Sequence, residues 1–241
     1  MPGTWTDQPP GKRSGTVERT GAVVALKPLP QAKTRFAGID PQLRQRLAWA
    51  MALDTLEAVS RATDVVVLVT AEPSAVARLA QVGLAVRVLS DPGRADDPLN
   101  SAFAAGIQSL ATDGCTLVAC VMADLPALNA AALTAIMNAA GAADRPVLVG
   151  DADGIGSTMI VGRPDRLRPR FGGHSADRHR GHGIGDVQIT DEELGGARVD
   201  VDDQLGLSRA HAVGLGTHTG RLVHDTKILP RQAIQSTAAC R

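Results

Sequence analysis

Short apolar runs of strand length alternate along this chain with longer segments whose apolar residues return every three or four positions. The runs are Gly21–Leu26, Asp64–Val69, Ala85–Leu89, Thr116–Met122, Pro146–Val149 and Met159–Val161, each of the size of a buried strand. Arg87 inside the third run places that strand nearer an edge. Between them, Asp40-Pro41 reads as an N-cap followed by proline at the first helical position, and Leu43, Leu47, Ala50, Met51 and Leu53 then recur at helical spacing, with Trp49 in the core. Further helices are predicted over 73–82, 101–110, from Pro126 through Ala139, and over 204–213. Ala197–Asp203 alternates apolar and acidic residues, the period of a strand, which puts Asp200 and Asp202 on one face about 6–7 Å apart. Strands alternating with helices imply right-handed crossovers and a three-layer α/β/α arrangement around a mostly parallel sheet. A single domain over 21–215 is expected, with a polar, disordered leader over 1–20 and a weakly patterned, poorly ordered tail over 216–241.

Composition narrows the function. Lys plus Arg and Asp plus Glu each total 25, so no general attraction to nucleic acid or an anionic membrane is expected, and phosphate binding must be local. No run approaches the ~20 apolar residues of a membrane span. Aromatics are 2% of the chain, which argues against a base-stacking platform and for an aliphatic core. The three cysteines, Cys115, Cys120 and Cys240, have unrelated spacings and form no CxxC pair, so neither a disulfide framework nor a zinc site is indicated and a reducing cytoplasm is the expected compartment.

The candidate chemistry gathers where strands end. The run 116–122 stops at Asp124-Leu125-Pro126, leaving one carboxylate at the strand's carboxyl end, where ligands of open α/β sheets collect. Directly after the first strand, Lys27-Pro28-Leu29-Pro30-Gln31-Ala32-Lys33-Thr34-Arg35 carries three cations and two prolines, a candidate phosphate loop without Walker spacing. Asn100 follows a Pro/Asp-rich loop and could cap a helix or read a nucleobase edge. Gly154-Ile155-Gly156-Ser157-Thr158 could offer backbone amides and two hydroxyls to an anion, or be a Gly-rich hairpin. In Arg170–His182, Gly172, Gly173 and Ser175 could wrap a phosphate or carboxylate beside Arg170 and Arg178, while the spacing of His174, His179 and His182 matches no common zinc pattern and His179 is expected at a solvated helix start. No Cys/His or Ser/His/Asp nucleophilic set and no GxGxxG motif is present. The inventory suits nucleotidyl transfer, in which carboxylates hold Mg2+ against a triphosphate and cations neutralise the leaving pyrophosphate.

Taken in order, Leu26-Lys27-Pro28-Leu29 with Ala32–Arg35, Asp97-Pro98-Leu99-Asn100, Asp124–Leu128, Gly154–Ser157, Arg170-Phe171-Gly172 with Ser175, and Asp200-Val201-Asp202 resemble the phosphoenolpyruvate or 2-phospho-L-lactate guanylyltransferases of coenzyme F-420 biosynthesis. The resemblance covers about residues 20–215. It implies a nucleotide-diphospho-sugar transferase (glycosyltransferase-A-like) fold and a reaction of GTP with phosphoenolpyruvate giving enolpyruvoyl-2-diphospho-5'-guanosine and pyrophosphate. Asp124, Lys27 and Lys33 would be catalytic; Asp124, Asp200 and Asp202 would hold Mg2+; Lys27, Lys33 and Arg35 would face the triphosphate and Asn100 the guanosine. Ser157, Thr158, Gly172 and Ser175 would bind phosphoenolpyruvate. Ser157 stands where the family has a threonine, which keeps the hydroxyl. Asp203-Gln204-Leu205-Gly206 replaces a Thr-Pro-Ala-Asp-like helix start, and Gly173-His174 a Pro-Asp-like pair. A homodimer is compatible with the family, and the product would pass to a downstream transferase. The alternatives are 2-phospho-L-lactate or another 2-phospho acid as acceptor, a molybdenum-cofactor-type nucleotidyltransferase, and a non-catalytic nucleotide-binding protein of the same fold.

Overall fold

A computed structural model describes residues 18–36, 38–94 and 96–229. Seven strands form one sheet: β1 (Thr20–Leu26), β2 (Val65–Thr70), β3 (Arg87–Ser90), β4 (Leu117–Met122), β5 (Val147–Gly150), β6 (Ser157–Gly162) and β7 (Gly185–Asp186), in the order β3-β2-β1-β4-β6-β5-β7. The β3-β2-β1-β4 half is parallel throughout, while β6 runs antiparallel to both β4 and β5. The third strand is an edge strand, as Arg87 predicts. The two Gly-flanked runs at 146–161 form the hairpin reading of that segment. The helices are α1 (Pro41–Ala62), α2 (Ala75–Gln81), α3 (Pro98–Thr112), α4 (Ala130–Ala142), α5 (Ser175–Gly181), α6 (Asp191–Leu194), α7 (Gln204–Val213) and α8 (Thr217–Thr226).

Alternation along the strands builds the layers. Ala22, Val24, Val66, Leu68, Ala119 and Val121 face Leu56, Val59, Leu133 and Ile136 of α1 and α4, whereas Val23, Ala25, Val67, Val118 and Cys120 face Phe103, Ile107 and Leu110 of α3. The sheet is thus covered on both sides, the condition under which parallel strands read as continuous apolar runs. Gly106 lets α3 lie directly on β1, since a Cβ there would stand 2.3 Å from Val23 Cγ1. Cys115 and Cys120 are free, buried thiols that pack as small apolar groups. Trp49 is buried as expected, with the Arg78 guanidinium 5.4 Å from its ring.

One boundary expectation, the poorly ordered tail, is corrected for a physical reason. The leader over 1–20 lies outside the described residues except for 18–20, and Thr20 already belongs to β1. Residues 217–226 of the expected poorly ordered tail form α8, which buries Leu222 and Val223 against Leu47, Ala50 and Met51 of α1. Its first turn is capped from a distance: the buried Asp54 carboxylate in α1 accepts from the backbone N–H groups of His218 and Thr219, both at 2.9 Å. A cap lying more than 160 residues upstream leaves no local signature. The remainder of that tail, 230–241, lies outside the described residues. No helix among the described residues is long and apolar enough to cross a membrane.

Candidate active site

Asp124 stands two residues beyond β4 at the carboxyl end of the central strands, and its backbone is held from both sides. The buried Thr55 hydroxyl in α1 accepts from Leu125 N–H (3.2 Å) and lies 3.3 Å from Ala123 O, bracketing the peptide groups that flank Asp124. Val201 N–H donates to Asp124 O at 3.1 Å. This one bond carries the acidic segment to the strand end. The expected strand over 197–203 is instead a 3-10 turn (Gly195–Arg198) followed by irregular chain, whose backbone bond to the strand end is the one from Val201 to Asp124. Gly196 makes that approach possible, since a Cβ there would lie 2.0 Å from Ala127 O.

The loop after β1 is rigid. Leu29 N–H donates to Glu72 Oε2 at 3.0 Å, the Thr70 hydroxyl donates to Leu26 O at 2.7 Å, and residues Leu29–Gln31 make a 3-10 turn. The loop delivers Lys33 in a left-handed conformation (φ 56°), an uncommon state for a lysine that side-chain ion pairs hold in place. Lys33 Nζ donates to Asp124 Oδ2 and, at 3.0 Å, to Asp202 Oδ1; Arg35 Nη1 donates to Asp202 Oδ2 at 3.0 Å. Lys27, Lys33, Arg35, Asp124 and Asp202 line one cleft of about 300 Å3.

The charges in this cleft act on one another and on Asp200, which lines a neighbouring pocket that shares Arg35 and Asp202. Burial alone would depress the Lys33 ammonium, but the Asp124 and Asp202 carboxylates outweigh it and raise its pKa above the usual lysine value. Burial likewise pushes Asp202 up, yet Lys33, Arg35 and Lys27 hold it below the ordinary aspartate range. Asp200 has no such cation. Burial, and after it the repulsion of Asp124, Asp202 and Asp151, raises its pKa to about 7. Asp124 Oδ1 is buried without a hydrogen-bond partner.

An orphaned carboxylate oxygen beside a carboxyl that resists ionisation is a donor set short of positive charge, and three hard oxygen ligands fit a divalent cation such as Mg2+. Among the described residues no three carboxylates stand already grouped around an open point. Lys33 lies between Asp124 and Asp202, and must withdraw from Asp124 before a cation takes that oxygen.

The residues expected to bind the acceptor divide. Ser157 and Ser175 meet: Ser157 N–H donates to Ser175 Oγ at 2.8 Å, and Ser157 Oγ lies 2.9 Å from His179 Nδ1. Gly172, three residues before Ser175, has φ 114°, where a side chain is strained and a Cβ would press on Arg178 Nη2 at 3.1 Å. Thr158 is turned away. One residue along the strand from Ser157, it faces the opposite side of the sheet, and its hydroxyl donates to Ala197 O at 2.7 Å in the core. The glycine loop is not an open anion nest either, because Asp151 accepts from Ile155 N–H and Gly156 N–H at 3.0 and 2.7 Å.

Asn100 is neither the helix cap nor free for a base. The cap is Asp97, and the Asn100 amide is consumed on Phe171, accepting from its N–H (2.7 Å) and donating to its O (3.1 Å) while also donating to Asp97. It holds the 170–172 loop against α3, where Phe171 packs on Phe103 with centroids 4.6 Å apart. The departure at 203–206 is harmless for helix initiation: Asp203 caps α7 by accepting from Gly206 N–H at 2.9 Å.

His179, expected on a solvated helix start, has no exposed surface. Burial, with Arg178, His182 and Arg170 around it, lowers its pKa to about 4. The unfolded chain therefore takes up a proton at this ring as pH falls below about 6.5, while the folded chain does not until about 4. Stability conferred by the neutral ring is full above the unfolded pKa and declines across that window, by up to about 3 kcal/mol. The midpoint of thermal unfolding, followed from pH 7.5 to 4, should drop more steeply in the native chain than in His179→Asn; equal slopes would refute the depressed pKa.

A sheet whose central strand ends in a carboxylate, faced by a basic loop after the first strand, is the architecture of a nucleotidyltransferase. A nucleotide-diphospho-sugar transferase-type structure from Desulfovibrio desulfuricans G20 superposes on it with a TM-score of 0.66 at 15% identity, covering 90% of this chain and 99% of the other, and shares its fold. The chain belongs to the family described as Guanylyl transferase CofC like, which matches residues 20–224. It is similar to the phosphoenolpyruvate guanylyltransferase of Thermomonospora curvata, 40% identical over 205 residues, or 83% of this chain and 86% of the relative. It is likewise similar to that of Geodermatophilus obscurus, 40% identical over 215 residues, or 86% and 95%.

Proposed function

We propose that the protein transfers guanylyl from GTP to phosphoenolpyruvate, giving enolpyruvoyl-2-diphospho-5'-guanosine and pyrophosphate as a cytoplasmic step of coenzyme F-420 biosynthesis. The observation that carries this reading is the ion-paired set Lys33, Asp124 and Asp202 in the cleft after β1 and β4, in a chain similar to relatives that bear that activity as their name. Lys27, Lys33 and Arg35 would bind the triphosphate and neutralise the pyrophosphate as it leaves. Asp124, Asp200 and Asp202 would hold Mg2+, which when bound supplies further charge neutralisation at the phosphates. Ser157, Ser175 and Gly172 would hold the acceptor so that its phosphate oxygen attacks the α-phosphorus in line. One P–O bond forms there as the bond to the β-phosphate bridge breaks, so the protein needs no covalent intermediate of its own.

Pyrophosphate should appear with GTP, Mg2+ and phosphoenolpyruvate together and with none of them omitted. A panel of 2-phospho acids, including 2-phospho-L-lactate, crossed with GTP and ATP would rank acceptor and nucleotide. Absence of release with every 2-phospho acid, in folded protein, would leave a nucleotide-binding protein without this activity.

A further inference from the structure

We propose that His179 is a positioning residue for acceptor binding: its Nδ1–H holds the Ser157 hydroxyl oxygen, so that the Ser157 proton is left to be donated to a phosphate or carboxylate of the acceptor. This rests on the assignment of Ser157 to the acceptor made above. The argument begins at the far side of the ring. Arg170 N–H donates to His179 Nε2 at 2.9 Å. A backbone amide has no acceptor role, so Nε2 carries a lone pair and the ring proton sits on Nδ1. Nδ1 is 2.9 Å from Ser157 Oγ and therefore donates to it.

A hydroxyl has one proton and two lone pairs. With a lone pair of Ser157 Oγ occupied by the ring, its proton must go elsewhere, and no second partner of that oxygen is present among the described residues. Ser175 is set the same way, because its oxygen accepts from Ser157 N–H at 2.8 Å and its own proton is free to donate. Two buried hydroxyl donors thus sit side by side, with Arg170 and Arg178 on the adjoining loop and helix, Arg178 donating to Arg170 O and Phe171 O at 3.3 and 3.1 Å. An acceptor anion that reaches these hydroxyls meets donors, and the imidazole fixes that polarity. The packing keeps the ring from turning: His179 is wholly buried and meets Phe171 edge-on, with centroids 5.0 Å apart. A ring held neutral near pH 7 preserves this single tautomer.

Two substitutions separate positioning from simple core filling. In His179→Asn the side-chain amide nitrogen falls where Nδ1 was and keeps the donor to Ser157. In His179→Gln the longer side chain reaches the Nε2 position and keeps only the acceptor for Arg170. Steady-state pyrophosphate release should show His179→Gln raising the KM for phosphoenolpyruvate about tenfold, the loss of one hydrogen bond to a charged group, with the KM for GTP unchanged. His179→Asn should stay within about twofold of the native value. Ser157→Ala should raise the same KM about tenfold, and adding His179→Gln to it should change nothing more, since the two act as one unit.

Equal rises in Asn and Gln variants, or additive effects in the double variant, would overturn the proposal. An unchanged KM in Ser157→Ala would instead overturn the assignment of Ser157 to the acceptor and the proposal with it, whereas a rise in Ser157→Ala without one in His179→Gln removes the positioning role alone. Ring nitrogen-15 shifts of the native protein offer a test that needs no variant: a proton on Nδ1 and a bare Nε2 are expected, and the opposite tautomer would refute the geometry.

Discussion

Asp124→Asn is expected to lower Mg2+-dependent pyrophosphate release about a thousandfold, which corresponds to the several kcal/mol that metal-assisted charge stabilisation contributes. The substitution is isosteric and keeps the backbone bonds that Thr55 and Val201 make around position 124. What it removes is charge. The carboxylate faces the Lys33 ammonium through one oxygen and leaves the other buried without a partner, so neither oxygen holds the core together. The amide can accept from Lys33, which is why circular dichroism should still report a folded chain. Full turnover in the variant would mean that the metal, if one acts, is held elsewhere, and Asp200 and Asp202 would then have to be tested singly.

Much of this arrangement is legible along the chain, and the rest fails for identifiable reasons. Asp124 shows itself because a buried strand cannot end in a carboxylate at no cost, and Lys33 because three cations fall within residues 27–35 directly after a strand. The strands of the parallel half are readable because both faces are covered and the apolar runs are unbroken. Thr55, by contrast, is one polar residue in the middle of a long helix, and only the arrival of residues 123–125 gives its hydroxyl a task. His179 and Ser157 lie 22 residues apart and Asn100 and Phe171 lie 71 apart, so the hydrogen bonds that decide their roles exist only after folding. Thr158 shows the limit of motif reading most plainly. Its hydroxyl is chemically equivalent to that of Ser157, but the twofold alternation of β6 sends it into the core. The acidic alternation at 197–203 mimics a strand for a similar reason: Val201 is wholly buried and its neighbours Asp200 and Asp202 are less so, whether or not a second strand is there to pair with.

Lys33→Met should abolish most turnover, and its effects on stability should have opposite signs with and without metal. Lys33 is as buried as the carboxylate it meets, with side-chain exposures of 10% and 12%. Removing one member of a buried pair leaves the other charge uncompensated, at a cost of about 3 kcal/mol, so the unfolding midpoint without divalent metal should fall. The same substitution takes away the group that competes for Asp124 Oδ2 and Asp202 Oδ1. With no ammonium to displace, a divalent cation held by Asp124 and Asp202 would bind the folded chain in preference to the unfolded one. Stabilisation grows with the ratio of metal concentration to dissociation constant, so millimolar Mg2+ should raise the midpoint more in Lys33→Met than in the native protein. Native protein and variant showing the same Mg2+-dependent shift would mean that Lys33 does not stand in the metal's place. If the variant instead loses stability without regaining any in Mg2+, the lysine is a structural clamp on Asp124 and the cation site has to be sought away from it.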